Sequence, residues 1–359
     1  MEFKINNTLH IDFSIKNNEI NSLLEKYFIS CEANYDKNDI IYVTDEYKSS
    51  SEYIQSGKTK IYRNGFFHQG KNICIGLEQN NEKDTIFINS IKASFIHDFK
   101  RNIYKKLIGS RPTHIENFFS YSALWSLLHV ALCHKNHAFV HSSSVSMDDE
   151  ACLIIGTGGS GKTSTTIALV EEYGYRYQSE DFSIIDQKGY SSFSPRPLTI
   201  YSSDVERGSQ TLKKYTENFN LRKKIIWRIL KSLKLNPRDR AVANRIFRDN
   251  QINYEKTKIR KAYFLVRKNI DKPSFENIEP EKFVSQSVYA SLREVLPLFE
   301  PFSQIGATTG HGSIFNVEYI IENTKAIYRS AFSDVECKVL NLPLRLDSSS
   351  IAKIIHEDF

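Results

Sequence analysis

Apolar residues recur along this chain in two rhythms, and each predicts a different kind of element. Over the first 115 residues the runs are short and β-like, at 39–44, 60–63, 72–76 and 85–89. Polar Asn, Lys and Gly segments separate them, as turns do. Residues 20–28 and 91–108 read as helices. Farther on, Phe118, Tyr121, Leu124, Trp125, Leu128, Ala131 and Leu132 fall at helical spacing and predict a buried helix over 118–133. A strand begins at 138–141, and Asp148-Asp149 marks a hairpin turn into the apolar run 151–155. A helix is expected at 164–172 with Ile167, Leu169 and Val170 as its apolar members, then strands at 182–186 and 262–266. Residues 210–248 read as helical; within 222–235 the face of Ile225, Ile229 and Leu233 is expected to meet the core. A helix over 281–299 and a strand (327–332) followed by a helix (348–355) complete the pattern, and the first 115 residues hold no internal repeat.

A length of 359 residues and 40% hydrophobic content suit two domains, or one large domain with an extension. The division expected is an N-terminal α+β domain over 1–115, in which no chemistry is discernible, and a second domain over 116–359. A basic helical insertion at about 205–260 interrupts the second. Cys31, Cys74, Cys133, Cys152 and Cys337 are scattered with no C-x-x-C pair, which argues for a reducing compartment. Cys133, His134, His137 and His141 are close in sequence, but they straddle a helix end and a strand and include one cysteine, a poor zinc set. The opening Met1-Glu2-Phe3-Lys4 lacks a secretion-signal layout, and the longest apolar run, 123–133, is too short to span a bilayer. The expectation is a soluble cytoplasmic protein. The net charge of +6 is uneven: residues 210–268 hold 18 Lys/Arg and 4 Asp/Glu, a local +14, against −8 for the rest. Such asymmetry speaks to partners, not to fold.

The most specific signal is Gly156-Thr157-Gly158-Gly159-Ser160-Gly161-Lys162-Thr163, a full match to G-x-x-x-x-G-K-[ST] placed between an apolar run and a helix. Glycines let successive backbone N–H groups converge on one phosphate chain, and the helix N-terminus adds positive potential at the same point. Lys162 can reach the outer phosphates, and the Thr163 hydroxyl can ligate Mg²⁺. With Ser164, these residues form the expected nucleotide site for ATP and Mg²⁺. Glu180-Asp181 follows Lys162 by one helix and one turn, which returns an acidic pair to the edge of the loop. At a strand end both carboxylates can serve, one toward Mg²⁺ and one as acceptor of a hydroxyl proton. Thr163 and Asp181 are the expected metal pair. Asp186 competes for the metal role because it ends the apolar run 182–185.

Val140-His141-Ser142-Ser143-Ser144-Val145, the loop 156–163, Ser179-Glu180-Asp181-Phe182 and Ser194-Pro195-Arg196-Pro197-Leu198, in that order, resemble the HPr kinase/phosphorylase family. The likeness is to its broader kinase-like group, which shares a nucleotide site with phosphoenolpyruvate carboxykinases. It covers about residues 120–345. The resemblance implies an α/β, mixed-sheet P-loop core of that type with an N-terminal α+β extension. It implies that His141 lies beside the γ-phosphate, that Lys162 and Thr163 bind phosphates and Mg²⁺, that Glu180 is the catalytic acid with Asp181 its neighbour, and that Arg196 belongs to the site. The chain departs from the family where Glu180-Asp181 replaces the usual Asp-Asp, a change in reach of about one methylene. The glycine-rich signature of bacterial HPr kinases is missing farther on, which argues against HPr itself as substrate.

The expected function is ATP- and Mg²⁺-dependent transfer of the γ-phosphate to a hydroxyl, foremost a serine of a peptide or small protein that the basic segment suggests is acidic. A small-molecule or sugar hydroxyl is the alternative acceptor. A nucleotide-responsive, non-catalytic module that docks on a polyanion is the alternative of another class. Stacking aromatics such as Trp227 and Tyr215 are sparse in the basic helix, which argues against nucleic acid.

Overall fold

Mixed sheets with helices around them carry this chain. The computed structural model describes residues 2–4, 9–16, 39–46, 52–69, 73–79, 83–90, 123–206, 209–295, 299–310, 313 and 315–359. Among the described residues the helices are α1 (Ala123–His134), α2 (Lys162–Tyr173), α3 (Ser202–Glu206), α4 (Gln210–Glu217), α5 (Leu221–Ser232), α6 (Pro280–Val295), α7 (Phe299–Thr309), α8 (Val317–Ala331) and α9 (Ser348–Asp358). None is long and apolar enough to cross a membrane. The chain divides into two compact units, Met1–Ala138 with Leu292–Ile327, and Phe139–Ser291 with Tyr328–Phe359. These units do not coincide with the segments 1–115 and 116–359 read from the sequence. Periodicity marks which face of a helix is buried without saying which sheet that face covers, so the return of 292–327 to the first unit leaves no trace in the pattern.

The first unit holds an eight-stranded sheet: β1 (Glu2–Lys4), β2 (Leu9–Ser14), β3 (Asp39–Thr44), β4 (Ile54–Ser56), β5 (Thr59–Tyr62), β6 (Gly65–Gln69), β7 (Ile73–Gln79) and β8 (Lys83–Ser90). The spatial order is β1-β2-β3-β8-β7-β6-β5-β4. β3 runs parallel to both β2 and β8, and the other pairs are antiparallel. Ile41 and Val43, Ile75 and Leu77, and Ile86 and Ile88 are spaced by two and buried, as one sheet face requires. On α1, Leu124, Trp125, Leu128, Ala131 and Leu132 are buried, as expected. Phe118, Tyr121 and the helices expected at 20–28 and 91–108 lie outside the described residues. The residues that invited a zinc reading go to separate partners: Cys133 meets His129 and Thr324, His134 meets Asp84, and His137 meets the Lys135 carbonyl.

The second unit is built on β9 (His137–Val140), β10 (Ser142–Met147), β11 (Glu150–Gly156), β12 (Arg176–Ser179), β13 (Ser183–Asp186), β14 (Tyr190–Ser192), β15 (Leu198–Tyr201), β16 (Arg238–Ala241), β17 (Thr257–Lys268), β18 (Ser274–Asn277) and β19 (Glu336–Pro343). All but β15 and β16, which pair with each other, form one nine-stranded sheet. Its centre is β17, parallel to β11 on one side and to β19 on the other. The hairpin turn between β10 and β11 falls at Asp148-Asp149, both at positive φ (49° and 62°), the backbone that two-residue hairpins favour. β11 is buried from Ala151 to Gly156, so its apolar run is continuous rather than alternating. The C-terminal α9 lies along α2, with His356 against the Tyr173 ring at 4.5 Å and Ser349 donating to Glu172 at 2.6 Å. Asp358 anchors its end by accepting from Tyr263 at 2.7 Å and from Lys338 at 2.7 Å.

Three expectations change. Residues 210–248 are not one helical stretch: Asn218 closes α4, Asn220 caps α5, and β16 follows Pro237. The Ile225, Ile229 and Leu233 face of α5 points outward rather than into the core. The run 327–332 is the end of α8 with Phe332 just beyond it, and the strand before α9 is instead β19. Ile327, Tyr328 and Phe332 are buried and share an apolar spacing that helix and strand both accept over so short a window.

Candidate active site

The glycine loop 156–163 leaves the end of β11 and enters α2 at Lys162. Gly159 (φ 83°) and Gly161 (φ 104°) take left-handed backbone that a Cβ would strain. A Cβ at Gly158 or Gly159 would meet nothing within 4 Å, so the crest of the loop faces open space, whereas at Gly161 it would come 3.0 Å from Arg267 Nη2. Arg267, on β17, donates from Nε to the Ser160 carbonyl at 3.1 Å and from Nη1 to the Pro343 and Leu346 carbonyls at 2.8 and 2.9 Å. It ties the loop to the end of β19.

Lys162 is buried and folds back on the loop. Its Nζ donates to the Gly156 carbonyl at 2.7 Å and to His141 Nε2 at 3.0 Å. An ammonium only donates, so His141 Nε2 accepts and Nδ1 carries the ring proton. That proton faces the Asp181 carbonyl at 3.1 Å and Asp181 Oδ1 at 3.3 Å. Burial, then the charge of Lys162, hold the His141 pKa down at about 4, so the ring is neutral at pH 7 and its link to Asp181 is a hydrogen bond. His141 N–H donates to Ser291 Oγ at 2.9 Å, and Tyr328 donates to the same oxygen at 2.9 Å.

The acidic pair sits in the turn between β12 and β13. Phe182 N–H bonds the Glu180 carbonyl at 2.8 Å, a three-residue turn with Asp181 at its centre at φ 68°. Such turns are rare and strained, and non-glycine residues held there cluster at functional sites. This backbone releases the two side chains from strand alternation. Asp181 Oδ2 meets Arg196 Nη2 at 2.8 Å, and the guanidinium stacks over the Phe182 ring at 4.2 Å. Arg196 stands between Pro195 and Pro197, whose fixed φ angles stiffen its backbone. Burial alone would raise the Asp181 carboxyl, but Arg196, His141 and Lys162 outweigh it and hold the group ionised, below the usual range.

Glu180 turns the other way. One oxygen accepts from the Thr163 hydroxyl, and the other is buried with no hydrogen-bond partner among the described residues. Burial first, and the Asp181 charge second, push its pKa from 4.5 to about 7. Thus Thr163 contacts Glu180, and Asp181, the expected partner of Thr163 on the metal, contacts His141 and Arg196 instead. Ser164 Oγ donates to Asp204 at 2.9 Å, so that hydroxyl braces α3. Asp186 accepts from Lys188 N and Tyr190 N at 2.9 and 3.1 Å and pairs with Lys256 at 2.6 Å; it shapes the turn between β13 and β14. Ser160 Oγ, at the loop, is also buried with no hydrogen-bond partner among the described residues.

His141, Lys162, Thr163, Glu180, Asp181 and Arg196 are therefore one connected cluster at the edge of the glycine loop. Arg267, Ser291 and Tyr328 join it with no sequence signal of their own: Arg267 is one of many cations in the basic segment, and a serine and a tyrosine on helices read as packing. Oxygen donors, a cationic Lys and an open glycine crest are a chemistry suited to phosphate oxygens and a hard divalent ion. No protein-family model matches the chain, and a search of curated proteins returned no match.

Proposed function

We propose that this protein is an ATP- and Mg²⁺-dependent kinase that transfers the γ-phosphoryl group to a hydroxyl, a serine of a peptide or small protein. The observation that carries this reading is the divided acidic pair, Glu180 on Thr163 and Asp181 on His141 and Arg196, set beside a glycine loop with its lysine.

The residues fit Mg²⁺: the Thr163 hydroxyl adjoins a carboxylate that has one unpartnered buried oxygen. Thr163 with Glu180 would hold the ion, which when bound offsets charge on the phosphates. This exchanges the two acidic roles relative to the Thr163–Asp181 pair. Asp181 is then the proton acceptor, oriented by His141 Nδ1–H and Arg196. The acceptor oxygen forms its bond to the γ-phosphorus as the bond from that phosphorus to the bridging oxygen of ADP breaks, and the hydroxyl proton passes to Asp181. A weakly basic carboxylate suffices, because the transition state is loose and catalysis rests on position and charge. Lys162 exchanges its loop carbonyl for phosphate oxygens, and backbone N–H groups of the loop and of the start of α2 receive the rest.

The test is transfer of label from γ-labelled ATP to serine-containing peptides. Lys162→Ala and Asp181→Asn are each expected to lower transfer by about 10²–10³-fold, the scale of losing one charge-stabilising or proton-accepting group. Full transfer by both variants would overturn the reading.

A further inference from the structure

Helix α5 offers its apolar stripe to solvent. Leu221, Ile225, Ile229 and the capping residue Leu233 are 74%, 48%, 52% and 62% exposed, and no residue of α5 is buried. Spaced by four, they form a ridge about 18 Å long at 1.5 Å per residue. The opposite side carries Trp227, which meets Phe219 at 5.3 Å and so faces the rest of its own segment. Residues 221–234 contain six Lys/Arg and no acid. Lys223 pairs with Asp239 and Lys231 with Glu206. Arg222 and Arg228 are exposed and flank the ridge.

We infer that α5 is an interfacial helix that docks this face on an anionic lipid surface. The choice of occupant follows from shape and charge. A second copy meeting helix to helix would set six cations against six. An extended peptide needs a groove or a sheet edge to satisfy its backbone, and α5 is a convex ridge with its own backbone bonded internally. A headgroup layer asks only for an apolar ridge with cations beside it. The inference stands apart from the kinase reading, because binding is measured without nucleotide.

The full-length protein is sedimented with vesicles of phosphatidylglycerol and phosphatidylcholine in equal parts, and with phosphatidylcholine alone. Binding is expected on the anionic vesicles only and is expected to fall steeply with added NaCl. Ile225→Ser/Ile229→Ser should weaken partition at least about tenfold through lost apolar contact. Lys224→Gln/Arg228→Gln should weaken it by about fivefold per charge removed. Circular dichroism and phosphorylation of a soluble serine peptide should match the unaltered chain in both. Failure to bind anionic vesicles overturns the inference, as does undiminished binding by the isoleucine variant. So does self-association, or capture of an acidic peptide without vesicle binding, that the same isoleucine variant abolishes.

Discussion

Glu180→Gln is the substitution with the most informative physical consequence. A buried carboxyl raised from its ordinary 4.5 to about 7 corresponds to about 3 kcal/mol, at about 1.4 kcal/mol per pH unit. The folded protein keeps a proton that the unfolded chain releases between these two values, so this residue makes stability fall as pH rises from 4.5 to about 7. Glutamine removes that slope. Its carbonyl can still accept from Thr163, while its amide lies where the second Glu180 oxygen has no partner, a pH-independent cost of about 1–3 kcal/mol. The contrast between two pH values therefore isolates the titration, and contributions from Asp181 and His141 are shared by both proteins. By calorimetry in chelator and without nucleotide, the Tm of the variant relative to the unaltered chain should climb by about 6–12 °C between about pH 5 and pH 8.5, at about 2–4 °C per kcal/mol for a unit of this size. An offset equal at both pH values would mean that Glu180 titrates as an ordinary surface carboxyl, and the burial argument would fail.

Three further outcomes follow from the same geometry. Binding of Mg²⁺ and ATP near pH 6.5 should release a proton as Glu180 ionises beside the metal, read by calorimetry in buffers of different ionisation enthalpy; Glu180→Gln should abolish the release. Arg196→Ala removes the principal charge that holds Asp181 down against its burial, so the acid limb of kcat/KM should move to higher pH, with partial recovery in Arg196→Lys. Arg267→Met should weaken nucleotide affinity by about 10–100-fold, the scale of losing bonds that fix the loop, with a smaller effect on kcat; titration by calorimetry would reveal an unchanged affinity and thereby dismiss the brace.

The parts of this molecule that were legible in its sequence are those set by local chemistry. The glycine loop, the hairpin at Asp148-Asp149, the buried β11 and the helix after the loop depend on residues within a few positions of one another. His141, Arg196 and the acidic pair are expected at one site, and the structure brings them together, but no local rule supplies their contacts. Ser291 reaches His141 from 150 residues away, and Tyr328 in turn reaches Ser291; such long-range partners have no periodicity to announce them. The outward stripe of α5 departs from the expected core-facing one for a related reason: amphipathicity fixes which residues share a face, and only the remaining surface decides whether that face is covered.

The turn at 180–182 frees the two carboxylates from strand geometry. On a strand, neighbouring carboxylates would point to opposite faces and only one would serve the loop. The left-handed Asp181 breaks that alternation at a cost of about 1–3 kcal/mol. Aspartate is among the residues that bear this backbone best, and the Arg196 ion pair and the His141 hydrogen bond over-determine its position. Among the described residues Glu180 accepts from Thr163 alone, so burial and the neighbouring Asp181 charge leave its own charge poorly supported, whereas Asp181 is held ionised. One strained residue thus converts two adjacent acids into groups of different protonation state, the difference on which the proposed division of roles between metal ligand and proton acceptor rests.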